Sequence, residues 1–122
     1  MKKLLSFILL ICMFMLVSCQ NNIITETEAV KLAKSHIESI ESEDYIELIT
    51  NFDAPTVEKL DFDKSNIVYY FKARNSTPHE NDLKGKKVWK IIFTTTLDPF
   101  LGSHIIYIDR YSGKLYGTDL RT

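Results

Sequence analysis

The hydrophobic pattern of this chain changes its period once, and that change most constrains the fold. From Ala29 to Phe52 the apolar residues recur every three or four positions, which is the spacing of one face of an α-helix. After Pro55 they alternate with polar residues or form short runs rich in β-branched and aromatic side chains, as strands do. The pattern predicts an α+β fold in which an N-terminal helix, or two, packs on an antiparallel sheet of about four strands.

The first helix has a clear start signal. Thr25 precedes Glu28 by three positions, which is the pattern of a capping box, in which the Thr hydroxyl accepts a hydrogen bond from a free amide and the Glu side chain reaches back. An apolar stripe at helical spacing follows: Ala29, Leu32, Ala33, Ile37 and Ile40. We expect a helix from about Glu26 to Glu41, and then either a second short helix or a bent continuation that ends before Asp53.

Five later segments have the composition of strands, the first of them only weakly. They are Val57–Phe62, Ile67–Ala73, Val88–Thr96, Ile105–Asp109 and Lys114–Thr118. Polar loops are predicted over 74–86 and 97–103. A tight turn at Arg110–Gly113 joins the last two strands, with Gly113 suited to a left-handed backbone conformation.

The first eighteen residues are organised like a secretory signal. Lys2 and Lys3 precede the apolar run Leu4–Val17, which is shorter than the roughly 20 residues of a membrane-spanning helix. The run ends in Leu-Val-Ser-Cys, which resembles the lipobox of bacterial lipoprotein precursors. The resemblance implies cleavage between Ser18 and Cys19 and transfer of a diacylglyceryl group, which carries acyl chains such as palmitate, to the Cys19 thiol. The alternatives are a plain signal peptide, or an uncleaved anchor in which Cys19 is incidental.

The lipobox divides the chain into a signal peptide (1–18), a short tether (19–24) and a single domain (25–122). Cys12 leaves with the signal and Cys19 is consumed by lipid, so the domain must be held together by its core without a disulfide. Without Lys2 and Lys3, 13 of the 15 basic residues remain against 16 acidic ones. This balance does not indicate binding to nucleic acid or to anionic lipid, so we expect the acyl chains alone to hold the protein to the membrane.

Three stretches carry a second resemblance: TETEAVKLAKSHI, VWKIIFTTT and IIYIDRYSGKLYG. Together they resemble the PepSY domain and its relatives, although this chain has more sequence between Ile40 and Trp89 than a minimal PepSY unit. The matching positions are Glu28, Ala29, Ala33, Trp89, Ile91, Phe93, Tyr107, Asp109, Ser112, Gly113, Lys114 and Leu115. The resemblance implies a helix on an antiparallel sheet, an extracytoplasmic location, and a role in restraining peptidases or modulating envelope proteins. The D-x-x-S-G-K hairpin also occurs in NTF2-like immunity proteins, which leaves that scaffold open.

The sequence lacks the local signatures of catalysis. It has no G-x-S-x-G elbow, no H-E-x-x-H pair and no Gly-rich phosphate loop, so we expect neither an enzyme nor a cofactor. Asp109 is expected to accept hydrogen bonds from turn amides, and Asp61 and Asp63 to be a solvated pair.

The three histidines of the chain are candidate metal ligands by residue type. The run His79–Asp82 has side chains that can bind a metal, but we expect a solvated loop there and no metal site, because zinc ligands converge from ordered elements. His36 lies at the edge of the apolar stripe. His104 is at the start of a strand, and the sequence leaves open which face of the sheet its side chain joins.

Two segments are candidates for contact with a partner. Phe100 and Leu101 are large apolar residues in a loop, where such residues either fold back onto the core or meet a partner. Tyr69 and Tyr70 lie in the segment Ile67–Ala73; if this is an edge strand, its free amides can accept a partner strand. Otherwise the tyrosine hydroxyls reach water.

We therefore expect a non-catalytic lipoprotein of the bacterial cell envelope, anchored to the membrane through Cys19. It would bind or modulate a protein partner, for which a peptidase is one candidate. The alternatives are an immunity-type protein on an NTF2-like scaffold, or a surface lipoprotein that binds a small ligand or a metal.

Overall fold

The computed structural model describes residues 23–73, 75–98 and 102–119, which form an α+β fold. Its elements in chain order are helices α1 (Glu26–Ile40) and α2 (Glu43–Glu47), followed by strands β1 (Thr56–Asp61), β2 (Ile67–Tyr70), β3 (His79–Asp82), β4 (Lys87–Phe93), β5 (His104–Asp109) and β6 (Leu115–Thr118). The predicted fold class is confirmed, but the sheet has six strands instead of about four. The signal segment, Cys19, Phe100 and Leu101 lie outside the described residues.

Helix α1 begins as the sequence predicts. The Thr25 hydroxyl accepts a hydrogen bond from the Glu28 amide at 3.1 Å, which satisfies one of the amides left free at a helix start. The helix ends at Ile40, and Glu41 is already extended. Its buried face consists of Ala29, Ala33, Ile37 and Ile40. Leu32 was predicted in this stripe but lies at its edge with 41% of its surface exposed.

The second helix is separate from the first rather than a continuation of it. Ser42 caps α2 by accepting a hydrogen bond from the Tyr45 amide, and the helix ends at Glu47. After α2, Ile49 forms an isolated antiparallel β-bridge with Thr95, which lies two residues beyond the end of β4.

The strands form one antiparallel sheet with the order β1-β4-β5-β6-β2-β3. Residues 62–66 connect β1 to β2, and residues 83–86 connect β3 to β4. These two connections are hydrogen bonded to each other, with Phe62 paired to Lys86 and Leu83 to Asn66. The four strands are therefore one long bent hairpin, whose halves lie at opposite ends of the sheet with β5 and β6 between them.

Two hydrophobic clusters fill the two sides of this sheet. The first lies under α1: Ala29, Ala33, Ile37, Ile49, Trp89, Ile91, Phe93, Ile106 and Ile108. The second joins residues from both halves of the bent hairpin and from β5 and β6, so it occupies the inside of the bend: Val68, Leu83, Val88, Tyr107 and Tyr116.

Residue Ile24, predicted as the last residue of the tether, is docked onto the domain. Its amide donates to the Arg110 carbonyl at 2.8 Å, and its carbonyl accepts from the Trp89 indole at 3.1 Å. Its side chain packs against the first cluster. The point where the tether meets the fold is therefore fixed.

Candidate functional site

Strand β2 is not an edge of the sheet, so the condition for partner addition at Tyr69 and Tyr70 is not met. It lies between β6 and β3, because the segment His79–Asp82, which was predicted as a polar loop, pairs with it as a strand. Both tyrosines are half-buried. The outer strands of the described sheet are β1 and β3.

An open groove of about 370 Å³ lies beside the outer strand β3. Five residues line it: Tyr70, His79, Asn81, Lys114 and Leu115. Tyr70 and His79 face each other across the β2–β3 ladder. The Asn81 side chain donates a hydrogen bond of 2.7 Å to the Tyr116 carbonyl, which ties β3 to β6. The groove is thus built where the bent hairpin returns to the last strand.

His36 of α1 supports the groove from behind. Its ring stacks on Tyr70, with ring centroids 5.7 Å apart and an interplanar angle of 25°. Its Nε2 atom is buried and has no hydrogen-bond partner, which is uncommon because buried polar atoms are normally paired. Burial lowers the pKa of His36 and thereby favours the neutral ring. The sequence placed this histidine correctly at the edge of the apolar stripe but gave no sign of Tyr70.

The run His79–Asp82 does not hold its metal-capable side chains together. Alternate residues of a strand point to opposite faces, so His79 and Asn81 line the groove while Glu80 and Asp82 lie on the other face. Asp82 accepts from the Lys84 amide, the Ser65 hydroxyl and the Asn66 amide, and these bonds lower its pKa. Within residues 23–73, 75–98 and 102–119, no three His, Cys, Asp or Glu side chains are close enough to hold a metal ion.

Asp109 has the structural role that the sequence predicts. Its Oδ1 atom accepts from the Tyr111 and Ser112 amides, its Oδ2 atom accepts from the Tyr116 hydroxyl, and Gly113 has φ of 73°. Partial burial by itself would raise the pKa of Asp109, but the hydrogen bonds outweigh it and hold the pKa below its usual range. This carboxylate is occupied in closing the β5–β6 turn.

Asp63 and Asp61 are both exposed to solvent, as the sequence predicts, but Asp61 also has a charged partner. It forms an ion pair with Arg110, a residue that is 5% exposed, while Asp63 is exposed to solvent. Nothing in the local sequence signals this pair, because its two members are 49 positions apart.

His104 faces inward at the start of β5. It is 4% exposed, and its Nδ1 atom is 2.9 Å from the Tyr45 hydroxyl. It thereby ties α2 to the sheet and does not reach the groove.

Neither α1 nor α2, the helices with described bounds, is long and apolar enough to cross a membrane. Comparison with known proteins returns no match: no protein-family model fits the sequence, and no curated protein or solved structure is significantly similar to the chain. The candidate site therefore has to be interpreted from its own geometry.

Proposed function

We propose that this protein is a lipid-anchored component of the bacterial cell envelope that binds an extended segment of a protein partner along β3. The observation that carries the proposal is the position of the groove. It borders an outer strand whose far side pairs with no other strand among the described residues. An added strand would form main-chain hydrogen bonds with β3 and place alternate side chains over the groove.

The composition of the groove favours binding over catalysis. An aromatic ring, an amide and an apolar side chain line it together with His79 and Lys114, and such mixtures are typical of recognition surfaces. Asp82 and Asp109 already accept three hydrogen bonds each. Those bonds favour the charged carboxylates and leave them poor general bases.

The other outer strand, β1, is a weaker candidate for strand addition. Exposed charged residues follow one another along it, namely Glu58, Lys59 and Asp61, and charged side chains on an edge discourage pairing with another chain. Strand β3 carries exposed carboxylates as well, and a second groove, of about 280 Å³, reaches β1 at Val57. The groove beside β3 is the stronger candidate because it is larger, at about 370 Å³, and because its Tyr70 is backed by His36.

The envelope location and the lipid anchor rest on the lipobox at Cys19, and the choice of a peptidase as partner rests on the resemblance to PepSY domains. The immunity-type alternative expects a deep conical pocket between the helices and a curved sheet. In the described residues the space between α1 and the sheet is filled by the first cluster. The small-ligand alternative keeps some support from the buried, unpaired Nε2 atom of His36.

A photo-crosslinking amino acid placed at His79 or at Lys59 of the full chain, expressed in its own cell, tests the proposal. Both positions are exposed residues of outer strands, and only His79 borders the groove. We expect a specific protein adduct at His79, none at Lys59, and loss of the adduct when Tyr70→Ala is added. Equal labelling at both positions would contradict the proposal. No adduct at His79, with thermal stabilisation of the protein by a metal or small ligand, would favour the alternative.

A further inference from the structure

We propose that the domain rests on the lipid bilayer through a small apolar surface beside its anchor, formed by Ile23, Leu32 and Tyr111, which we name the tether-side patch. The inference rests on the proposed lipidation of Cys19 and goes beyond it. It assigns an orientation to the domain and a second contact with the membrane.

The position of the anchor limits which side of the domain can face the membrane. Ile24 is held by its hydrogen bonds to Arg110 and Trp89. Five residue steps separate it from Cys19, and an extended chain spans about 3.6 Å per residue, so the lipidated residue lies within about 18 Å of Ile24. The end of the domain that carries Ile24 must therefore stay close to the bilayer.

The exposed apolar side chains are concentrated at that end. Among the described residues the exposed large hydrophobic side chains are Ile23 (55%), Leu32 (41%), Ile67 (42%) and Tyr111 (43%). Of these, Ile67 alone lies elsewhere, at the start of β2.

The three residues of the patch surround the β5–β6 turn. A β-carbon placed on Gly113 would lie 3.2 Å from Leu32 Cδ1 and 3.8 Å from Ile24 Cδ1, so both side chains cover the turn that carries Tyr111. The hydrogen bond from Ile24 to the Arg110 carbonyl brings Ile23 beside the same turn. Clustered apolar side chains on a surface mark contact sites, and here the bilayer is the surface held closest to them.

Exposed lysines lie near the β5–β6 turn, two of them beside Tyr116 of the second cluster. The ammonium groups of Lys86 and Lys114 lie 5.9 and 5.7 Å from the ring of Tyr116, just behind the turn, and the Lys87 carbonyl accepts from the Arg110 amide. All three lysines are exposed.

The acidic groups nearby offset part of this charge. Asp61 pairs with Arg110 and Asp109 is bound by the turn, while Glu28, one helical turn before Leu32, is exposed. Among these groups three lysines stand against the carboxylates of Asp109 and Glu28, so the local balance is weakly positive, unlike the acidic balance of the whole domain, and lysines near an anionic surface attract it.

A fluorescent label in the full lipidated chain tests this orientation. Once Cys19 is lipidated and Cys12 has left with the signal, a cysteine introduced by Tyr111→Cys is the single free thiol. Ile67→Cys is the matched control, because the two parent residues are equally exposed at 43% and 42%. Each labelled protein is reconstituted into vesicles of phosphatidylglycerol and phosphatidylcholine that contain an acyl-chain nitroxide quencher.

We expect the label at Tyr111 to be quenched several-fold more than the label at Ile67, and this difference to shrink in vesicles of phosphatidylcholine alone. Equal quenching at both positions, in protein that floats with the vesicles, would overturn the proposed orientation and leave the lipid anchor intact. Protein that does not float with the vesicles would overturn the anchor itself, and the orientation with it.

Discussion

Arg110 shows how much a single contact depends on a residue far away in the sequence. Its side chain is 6% exposed, whereas that of its partner Asp61 is 66% exposed, so the ion pair lies where the core meets solvent. A buried guanidinium needs a partner, because an uncompensated buried charge is strongly unfavourable. The solvated position of Asp61 weakens the pair relative to a fully buried one.

We predict that Asp61→Asn lowers the free energy of unfolding by about 1 kcal/mol, because Arg110 then lacks its charged partner. Asp63→Asn is the control, since Asp63 is exposed and takes part in no ion pair among the described residues. Urea unfolding followed by the fluorescence of Trp89 measures both variants. Equal stability of the two variants would show that the pair contributes nothing.

The carboxylate of Asp109 makes stability depend on pH. Its hydrogen bonds hold its pKa below the usual value of about 3.9. A carboxyl group whose pKa is lower in the folded state stabilises the fold above its unfolded pKa, and this contribution is lost as the pH falls through the folded pKa. We predict that the free energy of unfolding declines below about pH 4, and that Asp109→Asn makes this decline shallower.

Urea titrations at several pH values measure that decline. Asp82 also has a lowered pKa, from its bonds to Lys84, Ser65 and Asn66, so some dependence should remain in Asp109→Asn. A pH profile identical to that of the unchanged protein would mean that the Asp109 hydrogen bonds do not favour its charged form.

At the scale of elements, the antiparallel pairing of β6 with β2 depends on one glycine. Gly117 has φ of 141°, and a β-carbon there would lie 2.6 Å from the backbone carbon and oxygen of Tyr69. These are backbone atoms and cannot rotate away. The two strands can therefore approach this closely only when position 117 has no side chain.

We predict that Gly117→Ala destabilises the protein by clearly more than Gly85→Ala. Gly85 also has a positive φ, of 77°, but a β-carbon there meets nothing within 4 Å. Its replacement should therefore lower the free energy of unfolding by only about 1–2 kcal/mol, the cost of holding alanine in a left-handed conformation. Gly117→Ala adds a clash that must separate β6 from β2. Urea unfolding of both variants gives the comparison, and similar losses would mean that the strands adjust freely.

The elements also show what the sequence alone could predict. Helix α1 was predicted with its start because Thr25, Glu28 and the apolar stripe are all local signals. Strand β3 was missed because its residues, His-Glu-Asn-Asp, have little strand preference. It is a strand because β2 offers it a partner and because Asp82 closes the bend through Ser65, Asn66 and Lys84.

The candidate site was likewise predicted only where local sequence signals determine it. The sequence singled out Tyr70 and His79, but as parts of two unrelated segments, and it gave no sign that a bent hairpin would join them to Lys114 and Leu115. Contacts of this kind are set by tertiary pairing. A single sequence read for local period and turn chemistry does not contain them.

At the scale of the whole molecule, the two hydrophobic clusters share strands. Strand β4 contributes Trp89, Ile91 and Phe93 to the first cluster and Val88 to the second, and β5 contributes alternate residues to both. Loss of packing on one side must therefore disturb the strands that hold the other. We expect the two clusters to unfold together in one transition, as is usual for small single domains.

Leu83→Ala tests this coupling from the side remote from the helices. Leu83 is fully buried in the second cluster, whereas Trp89 belongs to the first. Truncating a buried leucine typically lowers stability by about 2–5 kcal/mol. We predict that Leu83→Ala lowers the urea midpoint measured by Trp89 fluorescence by the same amount as the midpoint measured by far-ultraviolet circular dichroism.

Leu32→Ala is the control for that experiment, because it removes the same atoms from a side chain that is 41% exposed and should change stability much less. The slope of the free energy of unfolding against urea should be unchanged in Leu83→Ala, since the same surface is exposed on unfolding. If Leu83→Ala lowers the circular dichroism midpoint while the Trp89 midpoint stays in place, the bend and the helix-covered half of the sheet are two units of independent stability. The shared strands β4 and β5 argue against that outcome, because each supplies buried side chains to both clusters.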